Sequence, residues 1–193
     1  MRRGFADPVF GSQRAFRRVL EAMAHPGRIV TLDAVIDAPA PLAPASAAVC
    51  LSLLDFETPL WLDDAARSHD AVEWLRFHCG VPLVERPESA RFALVLAPVT
   101  MPAFGDFDLG TDAMPDRSAT LILQVEALTA GAGARLAGPG IADITRLDVA
   151  GAPARFWDFV RGNGMHFPRG VDLLLAAGPC LAALPRTVRV RDD

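Results

Sequence analysis

Met165-His166-Phe167-Pro168-Arg169-Gly170-Val171-Asp172-Leu173-Leu174-Leu175, running on through Gly178-Pro179 to Leu184-Pro185-Arg186-Thr187, is the stretch that decides the fold. Two apolar runs, Val171–Ala177 and Cys180–Leu184, flank Gly178-Pro179, a turn dipeptide. Runs this short and this apolar, bounded by Gly and Pro, read as strands buried on both faces. Joined by so tight a turn, they must be antiparallel neighbours. Asp172 is out of place in such a run, because a carboxylate in apolar surroundings needs hydrogen bonds or a cation. Arg169 and Arg186 are the candidate partners nearest in sequence, and the pair they offer is a structural one.

Outward from this hairpin, helices and strands interleave. Asp7-Pro8 or Ser12 opens a helix whose inward stripe is expected at Ala15, Phe16, Val19, Leu20 and Met23. Arg14, Arg17, Arg18 and Glu21 lie mostly opposite, as a solvated flank, and His25-Pro26-Gly27 stops the helix. A short strand over 28–32 and a Pro/Ala-rich surface excursion over 37–46 follow. Helix is expected over 47–54, strand over 58–62, and a Ser68-capped helix through His78, with Trp74 and His78 as half-buried packing. Strands are predicted at 92–97 and 119–126, separated by an irregular, Asp-bearing segment over 98–115 that lacks calcium-loop spacing. Ala130-Gly131-Ala132-Gly133 reads as a turn, and Gly138-Pro139-Gly140 as another. Pro153 opens a last helix through Arg161, stopped by Gly162-Asn163-Gly164. The sum is one α/β domain spanning 1–193, a central mixed sheet with helices on both faces.

Composition limits the chemistry. All 19 basic residues are arginine, and there is neither lysine nor tyrosine. A lysine Schiff base is therefore impossible, so pyridoxal phosphate (PLP) cannot be held as an internal aldimine; the P-loop is excluded too. The net charge of −4 argues against nucleic acid as the main partner. No apolar run approaches a membrane span, and the charged opening Met1–Asp7 is not followed by a signal-type apolar core, so the expectation is a cytoplasmic protein. Cys50, Cys79 and Cys180 are scattered and form no metal-ligand spacing; they read as reduced thiols. No catalytic constellation is complete: neither G-x-S-x-G nor H-E-x-x-H is present.

The F-P-x-G-x-D-l-l-l pattern of 167–175 and the following l-P-R-T resemble the PhnH subunit family of the carbon–phosphorus lyase system. Phe16–Leu20 with Ala22–Gly27, Asp55 with Thr58–Leu62, Leu75–His78, Thr120–Val125 and Gly138–Ile141 complete the resemblance in order along nearly the whole chain. The resemblance implies the general fold of the PLP-dependent transferases without their cofactor. It also implies a homodimer, which the high apolar fraction can supply with interface, and partnership with the other lyase core subunits. In that system a core assembly joins an alkylphosphonate to C1 of the ATP ribose, displacing adenine, and a separate subunit later breaks the carbon–phosphorus bond. No nucleophile or base is carried over. The matching positions Gly138, Pro139, Gly140, Phe167, Pro168, Gly170, Asp172, Pro185 and Arg186 are expected to form fold or interface; Arg169 sits where the pattern is permissive. The alternative is a stand-alone small-molecule enzyme whose site is built from Asp172, His166 and arginines.

Overall fold

The computed structural model describes residues 2–33 and 35–192; Met1 of the charged opening stretch lies outside them. In chain order the elements are α1 (Pro8–Ala24), β1 (Val30–Thr31), α2 (Pro44–Leu53), β2 (Leu60–Leu62), α3 (His69–Cys79), β3 (Leu83–Val84) and β4 (Phe92–Val95). After the irregular segment come β5 (Thr120–Gln124), β6 (Ala127–Ala137), β7 (Thr145–Ala150), α4 (Phe156–Met165), β8 (Asp172–Ala177), β9 (Cys180–Leu184) and β10 (Arg189–Arg191).

Seven strands form a mixed sheet in the order β1-β9-β8-β5-β4-β2-β3. β3, β2, β4, β5 and β8 run parallel, and β8 turns back on β9 as an antiparallel hairpin in the register Leu173↔Leu184 to Ala177↔Cys180. Side chains alternate across these strands, as the two-residue period requires. Leu94, Ile122, Leu174, Leu181 and Ala183 join the core under α1, α2 and α3. Ala93, Val95, Leu121, Leu123, Leu173, Leu175 and Leu184 join the opposite core, under α4 and a second sheet. Both faces are buried, which explains why the strands read as unbroken apolar runs. The mixed sheet flanked by helices on two faces is as expected from sequence.

Four local expectations need correction. First, Ala130–Gly133 is not a turn. It lies inside the 11-residue β6, which pairs with β7 through a bulge between Ala130 and Ala134, and β10 completes a three-stranded antiparallel sheet. Gly131 and Gly133 have φ of +79° and +74°, so the glycines serve the bulge rather than a chain reversal. Second, α4 starts at Phe156 and runs through Gly162-Asn163-Gly164 to Met165. Third, α1 buries Gly11, Ala15, Val19 and Ala22, whereas Phe16 and Leu20 stand 42% and 51% exposed. Its small residues approach the sheet and α2 closely, and the large ones are left outside. Fourth, α2 begins at Pro44, three residues earlier than expected, and β2 begins at Leu60. The Asp7 cap holds: its carboxylate accepts from the backbone N–H groups of Val9 and Phe10 at 3.1 and 3.0 Å. Ser68 likewise caps α3, accepting from the Ala71 N–H at 3.3 Å.

Candidate functional site

Asp172 is the first residue of β8, opposite Thr120 of β5, at the amino-terminal edge of the parallel strands. Its partner is Arg186, two residues beyond β9. Oδ1 accepts from the Arg186 backbone N–H at 2.9 Å and from Nε at 3.2 Å; Oδ2 accepts from Nη2 at 2.5 Å. The remaining guanidinium nitrogen, Nη1, donates to the Pro115 carbonyl oxygen. The two side chains are only 14% and 15% exposed. A planar fork matched to a carboxylate, reinforced by a backbone amide, is among the strongest polar arrangements a protein can build. Arg169, the other candidate, points away and pairs with Asp112 at 3.2 Å on the surface. The His166 imidazole makes no hydrogen bond to Asp172; the backbone of His166 is engaged instead, its N–H donating to the Asn163 carbonyl at 3.1 Å and its carbonyl accepting from the Arg169 N–H at 3.0 Å.

The strand entrance is held by a residue that sequence reasoning treated as a helix stop. Asn163 is 6% exposed. Its Nδ2 donates to the Val171 carbonyl at 2.8 Å, and its Oδ1 accepts from the Val171 N–H at 2.9 Å, so the amide acts as a strand partner where no strand exists. Gly170 must be glycine here. Its φ is +124°, and a Cβ would stand 2.7 Å from Asn163 Oδ1. An Asn between two glycines inside an otherwise helical pattern was the available signal.

The Gly138-Pro139-Gly140 turn lies against the same region. The Ile141 N–H donates to the Gly138 carbonyl at 3.1 Å. A Cβ on Gly140, where φ is +83°, would lie 2.1 Å from the Ala24 carbonyl oxygen; on Gly138 it would lie 2.9 Å from the Thr187 carbonyl oxygen. Gly27 in turn donates its N–H to the Ala183 carbonyl at 3.1 Å, and a Cβ there would meet Thr145 Cγ2 at 2.8 Å. His25-Pro26-Gly27, Gly138-Pro139-Gly140 and Leu184–Thr187 thus meet in one joint. The Val188 N–H closes it by donating to the Pro185 carbonyl at 2.9 Å. Protein backbone fills the approach to the glycines, so this turn is a packing joint and not a phosphate cradle. The Phe167–Pro168 peptide is cis, and Phe167, Met165 and Met114 are 56%, 80% and 40% exposed.

Ligands of open α/β sheets commonly bind at the carboxyl ends of the strands. Here that edge is plugged. Asp63, 7% exposed at the end of β2, accepts from the N–H groups of Ala66, Leu96 and Ala97 at 2.9, 2.9 and 2.8 Å. Gln124, ending β5, accepts from the Ala43 N–H at 2.7 Å and the Ser46 hydroxyl at 3.0 Å, while its Nε2 donates to the Pro41 carbonyl at 2.8 Å. Neither residue was singled out from the sequence. Trp74 is buried and its ring lies 4.8 Å from that of His78, whose Nε2 is 3.0 Å from the Arg2 carbonyl oxygen, as packing rather than a ligand clamp. Burial pushes the Cys79 thiol up to about 12 and raises Cys50 in the same direction. No group of three or more His, Cys, Asp or Glu side chains among the described residues could hold a metal ion, and no helix among them is long and apolar enough to cross a membrane. Gly138, Gly140, Gly170, Asp172, Pro185 and Arg186 are thus engaged with the chain's own groups, whereas the exposed His25 and His166 imidazoles make no hydrogen bond among the described residues.

Comparison with known proteins agrees with the ordered motifs. Residues 3–191 match the family model described as "Bacterial phosphonate metabolism protein (PhnH)". The chain is 41% identical over 189 residues to the alpha-D-ribose 1-methylphosphonate 5-triphosphate synthase subunit PhnH of Rhizobium meliloti (strain 1021), covering 98% of this chain and 94% of that one. It is 32% identical over 179 residues to the putative C-P lyase subunit protein HtxG of Stutzerimonas stutzeri, covering 92% and 85% respectively. The chain belongs to the PhnH family of phosphonate metabolism proteins.

Proposed function

From that membership, we propose that this chain is a subunit of a carbon–phosphorus lyase assembly and supports transfer of an alkylphosphonate to ribose C1 of ATP. In that reaction a phosphonate oxygen bonds to C1 as the C1–N bond to adenine breaks, with the electron pair and a proton ending on adenine. The observation that carries the reading is the near-complete match to proteins named as subunits of such systems. The joint around Asp172 supports a non-catalytic share of the work. Its carboxylate is consumed by Arg186, and a general base must be within reach of a substrate proton. Holding three phosphates also calls on lysine, metal carboxylates or a free amide nest; this chain has no lysine, and its best nest candidate is packed shut. The same facts weigh against a stand-alone enzyme built on Asp172, His166 and arginines.

The proposal includes a cytoplasmic location, a homodimer when the chain is alone, and a fold akin to PLP-dependent transferases that carries no PLP. Light scattering reads the dimer. An absorbance band that borohydride fixes to the polypeptide would contradict the cofactor statement. For function, ATP and methylphosphonate are incubated with this protein alone, with its co-expressed partner subunits, and with the partners lacking it. Adenine release only in the complete mixture is expected; release by the isolated chain above the protein-free rate overturns the reading.

A further inference from the structure

Asn163 is the one asparagine among 193 residues, and Gly164 follows it. Asn-Gly is the dipeptide most prone to losing its side-chain amide, because without a Cβ the glycine nitrogen swings freely onto the neighbouring side-chain carbonyl. The fold nonetheless requires both residues. The Asn163 amide both donates to and accepts from Val171, at 2.8 and 2.9 Å, and so sets the entrance to β8. Gly164 is buried where a Cβ would stand 3.0 Å from the Val188 carbonyl oxygen, so the chain leading into β10 leaves little room for a side chain. Native geometry keeps the two reactive atoms apart. Both residues lie inside α4, whose helical backbone turns the Gly164 nitrogen into the helix's own ladder, while the two bonds to Val171 fix the amide. At 6% exposure, Asn163 also meets almost no water.

We propose that Asn163 is a latent self-modification site, guarded by the folded α4–β8 seam and released when that seam opens, whose product cannot rebuild the seam. The step balances with the chain and water alone. The Gly164 nitrogen gives up its proton and bonds to Asn163 Cγ; the Cγ–Nδ2 bond breaks, and that nitrogen leaves as ammonia. Water then opens the resulting cyclic imide at either carbonyl. One opening leaves aspartate, and the other leaves isoaspartate, in which the main chain runs through Cγ. Aspartate turns the Nδ2 donor into an oxygen facing the Val171 carbonyl and buries an unpaired charge. Isoaspartate adds a carbon to the backbone of α4 itself, so the helical ladder loses its register. Either way the entrance to β8 loses its partner, and β8 is the strand that joins β5 to β9. Prolonged unfolding of this protein thereby becomes irreversible at one named residue.

The test holds the full chain at neutral pH in buffer and, in parallel, unfolded in guanidinium chloride, with samples taken over days. Trypsin at mildly acidic pH cuts after Arg161 and Arg169, and mass spectrometry reads Asn163 in the peptide Gly162–Arg169. Labelling by an isoaspartyl methyltransferase reads the rearranged product. The unfolded arm should lose its amide at least tenfold faster than the folded arm, and the fraction that refolds on dilution should fall in step. Gly164→Ala should slow the loss in denaturant about tenfold, a rate that needs no folded protein to read. Asn163→Asp, the product made directly, should be destabilised at neutral pH. It should regain stability as pH falls, because the protonated acid can again donate to the Val171 carbonyl. Failure of that variant to fold at neutral pH agrees with the inference. Equal amide loss in both arms overturns it. So does full refolding of a chain that has lost the amide, loss of refolding while the amide persists, an unchanged rate in Gly164→Ala, or an Asn163→Asp variant as stable as the parent at neutral pH.

Discussion

Arg186 and Arg17 carry the same guanidinium into opposite circumstances. Arg186 spends its donors on both oxygens of Asp172 and on the Pro115 carbonyl, in a place almost without water. Arg17 stands in solvent next to Phe16 and Leu20, with no acceptor among the described residues. Burial forces matching: an unpaired charge inside the joint would cost several kcal/mol, so evolution of a fold cannot leave one there. Exposure imposes no such demand, so an unmatched arginine there remains available to something outside the chain. The joint spends its polar groups on holding the fold, whereas on α1 Arg18 holds Glu21 and Arg17 is left to solvent.

If that contrast is right, substitutions in the joint should be costly and substitutions on α1 nearly silent. The largest effect is expected at Gly140. In Gly140→Ala a methyl would sit 2.1 Å from the Ala24 carbonyl at a positive φ, so overpacking and backbone strain add to about 4 kcal/mol. For a chain of this length that lowers the melting temperature on the order of 10 °C by calorimetry; an unchanged midpoint would mean the turn moves freely against α1.

Next comes Arg186→Met, which strands the Asp172 carboxylate and should cost about 3 kcal/mol in urea unfolding. Adding Asp172→Leu should recover part of that loss, since a buried pair replaced by apolar groups is commonly tolerated. Additive losses in the double variant would show that the two side chains do not act as a unit.

A smaller effect separates buried from open chemistry by pH. Burial raises the Cys79 thiol to about 12, so folding favours its protonated form. The sign follows directly: that contribution is complete below the ordinary thiol range near pH 8.5 and is lost as pH climbs toward about 12. By about pH 10 the loss should reach about 2 kcal/mol, with Cys50 acting in the same direction. In parallel, a thiol reagent at neutral pH should modify the half-exposed Cys180 and spare Cys50 and Cys79 until the protein unfolds. Rapid reaction of all three would contradict their burial.

The smallest effect belongs to α1. Phe16→Ser should change stability by less than about 0.5 kcal/mol in urea unfolding, as surface positions do. A large destabilisation would show that Phe16 is part of the core after all.

Strong local signals explain what was readable in advance. The β8–β9 hairpin announced itself through two apolar runs around Gly178-Pro179, and Asp7-Pro8 marked the start of α1. Asp172 advertised a buried pair because a lone carboxylate in such a run demands one. The rest failed for two physical reasons. Glycine is ambiguous: Ala130–Gly133 has turn composition, yet in β6 its glycines make a bulge, and the two around Asn163 sit within a helix that other contacts sustain. Long-range satisfaction is invisible to pattern: Gln124 finds its acceptor and donor partners about 80 residues away in the 41–46 segment, and Asp63 finds two of its three amides past β4. The α1 face was misjudged for a related reason. Apolar periodicity marks a stripe, but which stripe faces inward depends on how closely a neighbour can approach; Ala15 and Val19 are inward as expected, and Gly11 and Ala22 take the places expected of Phe16 and Leu20.

The order of strands in the large sheet sets a timetable for the chain's birth. β1 is complete after residue 31, yet its one neighbour in the sheet among the described residues, β9, is made roughly 150 residues later. β5 likewise waits for β8. At a synthesis rate of about 5–20 residues per second, the nascent chain spends on the order of ten seconds with β1 and one side of β5 unpartnered. The fold is therefore finished from its last tenth, and a ribosome that stops before Leu184 releases a chain with no seam to close. Truncation that removes β9 should be far more damaging than an insertion in the exposed turn over 85–89.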